Sequence, residues 1–211
     1  MLKVGLTGGI ASGKSVVGEM FVALGAHQVQ ADRIAHSLMQ PGEAVYDEVV
    51  QHFGREMLNP DRTVNRARLA EAAFAAGRGT ESRIQELNGI VHPAVIRRQD
   101  EWMQEIGRQD PHAVAIVEAA LILEAGARDH FDRIVVVTCS EEQRAVRFAA
   151  RQKIDLQSAR NEVARRMAAQ LPDADKVKAA DFVIDNCGSL ENTRVQVQRV
   201  WEKLRAEAEK S

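Results

Sequence analysis

Cysteine is scarce in this chain: of 211 residues, only Cys139 and Cys187 carry thiols. They stand far apart and show no metal-ligand spacing, which excludes a zinc motif or a disulfide framework as the basis of the fold. Both follow apolar, strand-like runs, so buried or half-buried free thiols are expected. An excess of one charge is also missing. Lys and Arg number 28 against 30 Asp and Glu, a formal net charge of −2. That balance argues against a general nucleic-acid binder, though a local basic site stays open. No apolar run approaches the length of a membrane span. The first residues enter a strand pattern directly, so no signal peptide is expected. Internal repeats and low-complexity linkers are absent. A cytoplasmic protein built as one globular unit with embellishments is the expectation.

What is present is concentrated at the start. Lys3-Val4-Gly5-Leu6-Thr7 reads as a strand. Gly8-Gly9-Ile10-Ala11-Ser12-Gly13-Lys14-Ser15 follows at once, and then a helical pattern with Val17, Met20, Phe21 and Leu24 on one face and Gly25 as its stop. This is G-x-x-x-x-G-K-[ST] between a strand and a helix, the context that gives the motif meaning. Backbone N–H groups and a helix N-terminus form an anion cradle there, suited to a nucleoside triphosphate. Gly8 and Gly13 permit backbone geometries and close approaches that a side chain would block. The amides from Ala11 through Ser12, Gly13, Lys14 and Ser15 to Val16 are expected to face phosphate oxygens. Lys14 supplies a point charge to the β- and γ-phosphates, and Ser15 a hydroxyl to Mg²⁺.

Strand-length apolar runs recur at 3–7, 27–31, 113–118, 133–139 and 181–185. The first, third and fourth are nearly continuous in apolar residues, as in strands covered on both faces. Helical patterns occupy 42–53, 65–76, 80–91, 93–106, 141–152, 158–169 and 190–208. The alternation predicts an α/β fold with a five-stranded parallel sheet flanked by helices. Roughly eighty residues separate the second and third strands, far more than one crossover needs. They read as a helical insertion. A shorter interruption before the last strand is dense in arginine: Arg147, Arg151, Arg160, Arg165 and Arg166. A nucleotide-binding core with two helical excursions is the architecture of a small-molecule kinase, whose excursions close over two substrates to keep water from the transferring group.

Other phosphate-loop proteins fit less well. A GTPase would need N-K-x-D, and the sequence has none. The apolar run ending in Glu118 is a weak version of the strand-plus-acid of a machine ATPase. Arginines suit the charge on transferring oxygens. A hydroxyl acceptor also needs a carboxylate near it. Asp32 stands at the carboxyl end of the second strand, where ligands bind in open parallel sheets. It is the acceptor of the substrate proton, the N-cap of a helix starting at Arg33, or both at once.

These residues resemble the dephospho-coenzyme A kinase family over nearly the whole chain. Leu6-Thr7-Gly8-Gly9-Ile10 is similar to the family's extended loop, and Asp32-Arg33-Ile34-Ala35-His36 to the next block. Pro41-Gly42, Phe53-Gly54, Arg68-Leu69, Phe74, His92-Pro93, Leu121-Ile122-Leu123-Glu124 and the run from Ala180 to Gly188 are similar to further markers. The resemblance implies a P-loop NTPase fold and transfer of the ATP γ-phosphoryl to the ribose 3′-hydroxyl of dephospho-coenzyme A. It implies a core at about 1–31, 92–140 and 180–211, a helical substrate-binding insertion at about 32–91 and a lid at about 141–179. It makes ATP and dephospho-coenzyme A the partners, Mg²⁺ the cofactor and Asp32 the base. It makes Arg147 the lid arginine that reaches the phosphates, with Arg151 and Arg166 as further candidates. It places Asn186 and Gly188 against adenine, and His92 and Arg97 on the substrate side. His92 reads equally well as the residue before a helix that opens on Pro93.

Three positions depart from the family pattern: Gln30 where an acid is usual, Glu118 where Asp is common, and Ala120 where Pro is common. Two other functions stay open: a kinase for another small acceptor, such as a nucleoside or nucleoside monophosphate, and an ATP-dependent switch docking through its C-terminal helix. The apolar spacing of that helix at Val195, Val197, Val200, Trp201 and Leu204 suits packing on the sheet better. The charged end, 207–211, is expected to fray in solvent.

Overall fold

The computed structural model describes residues 1–74 and 83–210. In chain order its elements are β1 (Leu2–Thr7), α1 (Lys14–Ala23), β2 (His27–Gln30), α2 (Ala31–Leu38), α3 (Ala44–Phe53), α4 (Arg66–Phe74), α5 (Ile84–Gln109), β3 (Val114–Glu118), β4 (Arg133–Thr138), α6 (Glu141–Gln152), α7 (Leu156–Ala168), α8 (Asp173–Lys178), β5 (Phe182–Asp185) and α9 (Leu190–Ala208). The ends of the helices expected over 65–76 and 80–91 fall partly within 75–82, outside the described residues. Two compact units divide the chain: Met1–Gln30 with Met103–Ser211, and Ala31–Trp102.

The first unit holds a five-stranded sheet in the order β2-β3-β1-β4-β5. Every pairing is parallel. The continuous apolar runs became the three inner strands, β3, β1 and β4, and the less apolar runs became the edges. Burial follows: β3 is buried throughout, while β2 has no fully buried residue. β1 lies between β3 and β4, so the chain leaves its carboxyl end where the strand order reverses, the place where open parallel sheets bind ligands. On one face, Val4, Leu6, Ile116, Val135 and Val137 pack with Val17 and Phe21 of α1 and with Val197, Trp201 and Leu204 of α9.

α9 therefore covers the sheet, and only part of its expected apolar face points outward: Val195 is exposed. The charged end does not fray as expected. Glu207 pairs with Arg133 of β4 at 2.8 Å, and Ala208 is fully buried. The last turn is thus fastened by apolar contact together with an ion pair. Ser211 lies outside the described residues.

The second unit is helical. Val45, Val49 and Phe53 make one buried face of α3 at four-residue spacing. Between α3 and α4 the chain forms a turn in which Leu58 and Val64 make an antiparallel bridge. Arg68 closes this turn by donating to the carbonyls of Glu56 and Leu58. This unit runs to Trp102, whereas the expected insertion stopped near residue 91.

The difference arises in α5. Two helices were expected, with a boundary at Pro93, and one continuous helix is found with Pro93 inside it. A proline in a helix interior costs about 3 kcal/mol. Val91, Ala94 and Val95 are buried on either side of it, and burial of apolar side chains is worth about 1.5–3 kcal/mol each for the larger ones. Packing thus carries the helix through the proline. His92 therefore does not open a helix. α2 likewise begins at Ala31 rather than Arg33, so Asp32 lies within its first turn and is not the cap. Its carboxylate there is favoured by the helix dipole.

Leu204→Ala tests the α9 contact. The side chain is fully buried, so its truncation should cost about 2–5 kcal/mol, read as a lower midpoint in urea unfolding. A midpoint unchanged within error would show that α9 does not stabilise the sheet.

Candidate active site

The site grows from the end of β1. Gly8 has φ of 149°, and a Cβ there would collide with the Val137 carbonyl of β4. Gly13 caps α1 in the left-handed region, φ 95°, and no side chain caps that helix. Helix N-termini leave their first N–H groups without intrahelical partners, so the amides of Lys14, Ser15 and Val16 stay directed out of the helix. Ala11 adopts φ of 53°, a left-handed conformation that a residue with a Cβ rarely takes. Strained backbone of this kind concentrates at ligand clamps.

The loop is held by its carbonyls. Lys14 Nζ donates to the carbonyls of Gly8 at 3.0 Å and Gly9 at 3.3 Å. Arg147 donates to the Ser12 carbonyl at 3.2 Å and to the Asn186 carbonyl at 2.9 Å. The Asn186 side-chain amide donates to the same Ser12 carbonyl at 2.8 Å, and its oxygen accepts from Thr193 at 3.0 Å. Arg144, fully buried, donates to the carbonyls of Cys139 at 2.9 Å and Ile10 at 3.4 Å and pairs with Asp173 of α8. Any Cβ at Gly9 would strike the Arg144 guanidinium. Ile10 packs against Phe148 of α6 and Ala159 and Val163 of α7. The arginine-dense segment thus grips the loop through Arg144, Arg147 and an apolar contact.

On the other side stands a carboxylate. Ser15 Oγ donates to Glu118 Oε1 at 2.8 Å, while Gln28 and Gln30 donate to Glu118 Oε2 at 2.9 and 3.0 Å. The register explains this: Gln30 pairs with Glu118, and Gln28 lies two residues back on the same face. Nearby, Thr7 Oγ1 donates to the Ala120 carbonyl at 3.2 Å.

These residues suit a nucleoside triphosphate with its cation. The side-chain oxygen of Ser12 is buried in the loop with no partner among the described residues, and a buried hydroxyl left unpaired is costly. The uncapped α1 offers N–H groups to an anion. Ser15 and Glu118 supply hard oxygen donors. Among the described residues no group of three or more His, Cys, Asp or Glu is gathered as a metal cage. A hydroxyl and one carboxylate fit a cation that brings its own phosphate oxygens and waters.

The expected site residues are thus distributed over both units. Gly8, Ala11, Ser12, Gly13, Lys14, Ser15, Val16, Arg147, Asn186 and Gly188 belong to the sheet unit. Asp32, His92 and Arg97 belong to the helical unit, where all three are exposed. Arg151 is exposed, with its guanidinium 5.5 Å from the Phe148 ring, and Arg166 lies 5.4 Å from the same ring. Arg166 is also tied to Glu162, whose carboxyl is held down to about 2 first by Arg165 and then by Arg166. Arg160 pairs with Glu142.

Arg144, Gln28 and Thr193 escaped the sequence reading. Arg144 had a signal: it precedes Arg147 by three residues and shares a helix face with Phe148, four residues on, which is buried. Gln28 had only the two-residue strand period that places it beside Gln30.

Relatives decide the family. The family model described as dephospho-CoA kinase matches residues 2–192. The chain belongs to the dephospho-CoA kinase family. A dephospho-CoA kinase of Syntrophotalea carbinolica is 40% identical over 97% of this chain and 92% of its own length. One of Corynebacterium efficiens is 38% identical over 95% and 96% respectively. A crystal structure of a Thermus thermophilus protein superposes with a TM-score of 0.78 at 29% identity, covering 96% of this chain and 97% of its own. Within this kinase fold both excursions, α2–α5 and α6–α8, are helical.

Cys139 is buried and Cys187 half-buried, as the flanking runs implied, and both are free. A hydrogen bond to the Asp185 carboxylate, followed by burial, pushes the Cys187 thiol above the ordinary thiol value. The thiolate is the reactive form. Alkylation of Cys187 at pH 8 should therefore be slow and should accelerate in Asp185→Asn, read by mass spectrometry of the labelled peptide. Equal rates in the two proteins would show that Asp185 does not control this thiol.

Proposed function

We propose that the chain transfers the γ-phosphoryl group of ATP to the ribose 3′-hydroxyl of dephospho-coenzyme A, giving coenzyme A and ADP. The observation that carries this reading is the family match, which extends across the helical unit as well as the phosphate loop. A loop alone would indicate only a triphosphate. The same reading makes the protein a cytoplasmic enzyme acting on two small molecules, with no need of nucleic acid or a membrane. Among the described residues no helix is long and apolar enough to cross one.

The residues divide the work as follows. The amides from Ala11 to Val16, with the Gly8 turn beneath them, bind the phosphates. Lys14 leaves the Gly8 and Gly9 carbonyls for the β- and γ-oxygens, where a cation lowers the energy of the developing charge. Ser15 and Glu118 are the residues that would hold Mg²⁺, which would neutralise phosphate charge there. Arg147 keeps Ser12 and the Asn186 turn together, and Gly188 continues that turn toward the adenine. His92 and Arg97 serve dephospho-coenzyme A. The 3′-oxygen forms its bond to the γ-phosphorus as the bond to the β–γ bridging oxygen breaks. Asp32, two residues past Gln30 in sequence, orients the hydroxyl and takes its proton. Positioning and charge neutralisation supply most of the rate.

The decisive assay couples ADP release to added dephospho-coenzyme A and identifies coenzyme A by chromatography. ADP release that does not depend on this acceptor would overturn the reading. Lys14→Ala should lower turnover by about 10²–10³-fold while leaving the circular dichroism and melting temperature near those of the unchanged chain. Near-normal turnover would remove the loop from the mechanism. Asp32→Asn should lower kcat by about 10²–10⁴-fold with little change in the KM for ATP. An unchanged single-turnover rate would exclude it as the proton acceptor.

A further inference from the structure

Glu118 is largely buried at the end of β3 and accepts three hydrogen bonds from neutral side chains: Ser15 on Oε1, and Gln28 and Gln30 on Oε2. A carboxylate on three single bonds has several rotamers. Two amides from alternate positions on one face of β2 fix which oxygen faces which way. Oε2 is taken by β2, and Oε1 is left pointing at the first turn of α1.

The helix has been shaped around this arrangement. Gly18 lies in the interior of α1, where glycine is unfavourable by about 1 kcal/mol relative to alanine. A Cβ at that position would collide with all three heavy atoms of the Gln28 amide. Gly18 thus opens the space in which Gln28 lies while it donates to Glu118. Gly18, Gln28, Gln30, Glu118 and Ser15 form one connected group on α1, β2 and β3, all within the sheet unit.

We infer that Gln28 and Gln30 are positioning residues: they clamp Glu118 so that its Oε1 and the Ser15 hydroxyl present one preset pair of oxygens to the divalent cation that accompanies ATP. The glutamines touch neither nucleotide nor cation. They act through Glu118, and Gly18 acts through Gln28. Neutral amides are the chemistry this needs. They donate to the carboxylate without competing for the cation and without adding a second negative charge beside it. Groups that orient a metal-binding carboxylate are typically worth about 10–100-fold in metal affinity or activity.

The inference rests on the kinase reading only in taking ATP with a divalent cation as the ligand, and its test needs no acceptor. Calorimetry measures the affinity for the β–γ imido analogue of ATP, with Mg²⁺ and with EDTA, and the ratio of the two gives the gain due to the cation. In Gln28→Leu, Gln30→Leu and the double variant, that gain should fall at least tenfold, with the affinity in EDTA unchanged. Gly18→Ala should do the same without altering a polar group, by displacing Gln28. Melting temperatures report on folding, so a general structural defect would show as loss of both affinities. Variants that keep the full Mg²⁺ gain, or lose both affinities together, overturn the clamp. A chain that shows the expected loss yet makes no coenzyme A supports the clamp and overturns the acceptor assignment alone.

Discussion

A loop that offers its N–H groups to an anion cannot also use them to hold its own shape. Backbone donors and acceptors must all be satisfied, and in a helix or sheet each residue's donor and acceptor serve together. In the phosphate loop they are largely separated, although the Ser12 N–H closes a turn onto the Gly9 carbonyl at 3.3 Å. The amides at the start of α1 are left for the ligand, so the order of the loop has to come through its carbonyls. That is where the surrounding donors converge: Lys14 on Gly8 and Gly9, Arg144 on Ile10, and Arg147 and Asn186 on Ser12. Guanidinium groups suit this task, because they offer several fixed donors and no acceptor. They cannot compete for the amides.

The consequence reaches through the sheet unit. Arg144 and Arg147 come from α6, Asn186 follows β5, and Thr193 of α9 fixes the Asn186 side chain. Arg144 must be buried to reach the loop, and a buried guanidinium needs an anion to offset its lost hydration. Asp173 of α8 supplies it. A second ion pair, Lys176 with Glu124 at 2.8 Å, fastens α8 to the segment after β3, and Lys176 is fully buried. The short α8 is therefore an anchor for the arginine segment. The positive charges packed under the loop's carbonyl side also favour an anion on its amide side.

How much of this was legible in the sequence depended on the range of the interaction. β1, β3 and β4 could be read because strands covered on both faces leave an unbroken apolar run, and the phosphate loop because its spacing is local. Pro93 misled because a local rule was set against burial of Val91, Ala94 and Val95, and burial prevailed. Arg147 was singled out, whereas Arg144, three residues earlier, was passed over. Both reach loop carbonyls more than a hundred positions away; the family resemblance marked Arg147, and the local trace of Arg144 was only its helical spacing to buried Phe148. The acid at the end of β3 was visible, yet its partners were not. Gln28 is an unremarkable residue until the register sets it beside Glu118.

The departure at Gln30 is resolved by the same register. In isolation a glutamine where an acid is usual reads as a loss of charge from the site. Paired with Glu118, it is a donor to a carboxylate that is one methylene longer than aspartate and so reaches nearer to Ser15 and β2. A longer side chain has one more torsion to fix, and the amides of Gln28 and Gln30 fix it. An acid in place of Gln30 would put two carboxylates within hydrogen-bond distance, where like charges disfavour ionisation of both. Glutamine at 30 and glutamate at 118 are thus mutually consistent, and neither substitution is interpretable alone. One negative charge remains, carried by β3, and β2 contributes direction in place of a second carboxylate.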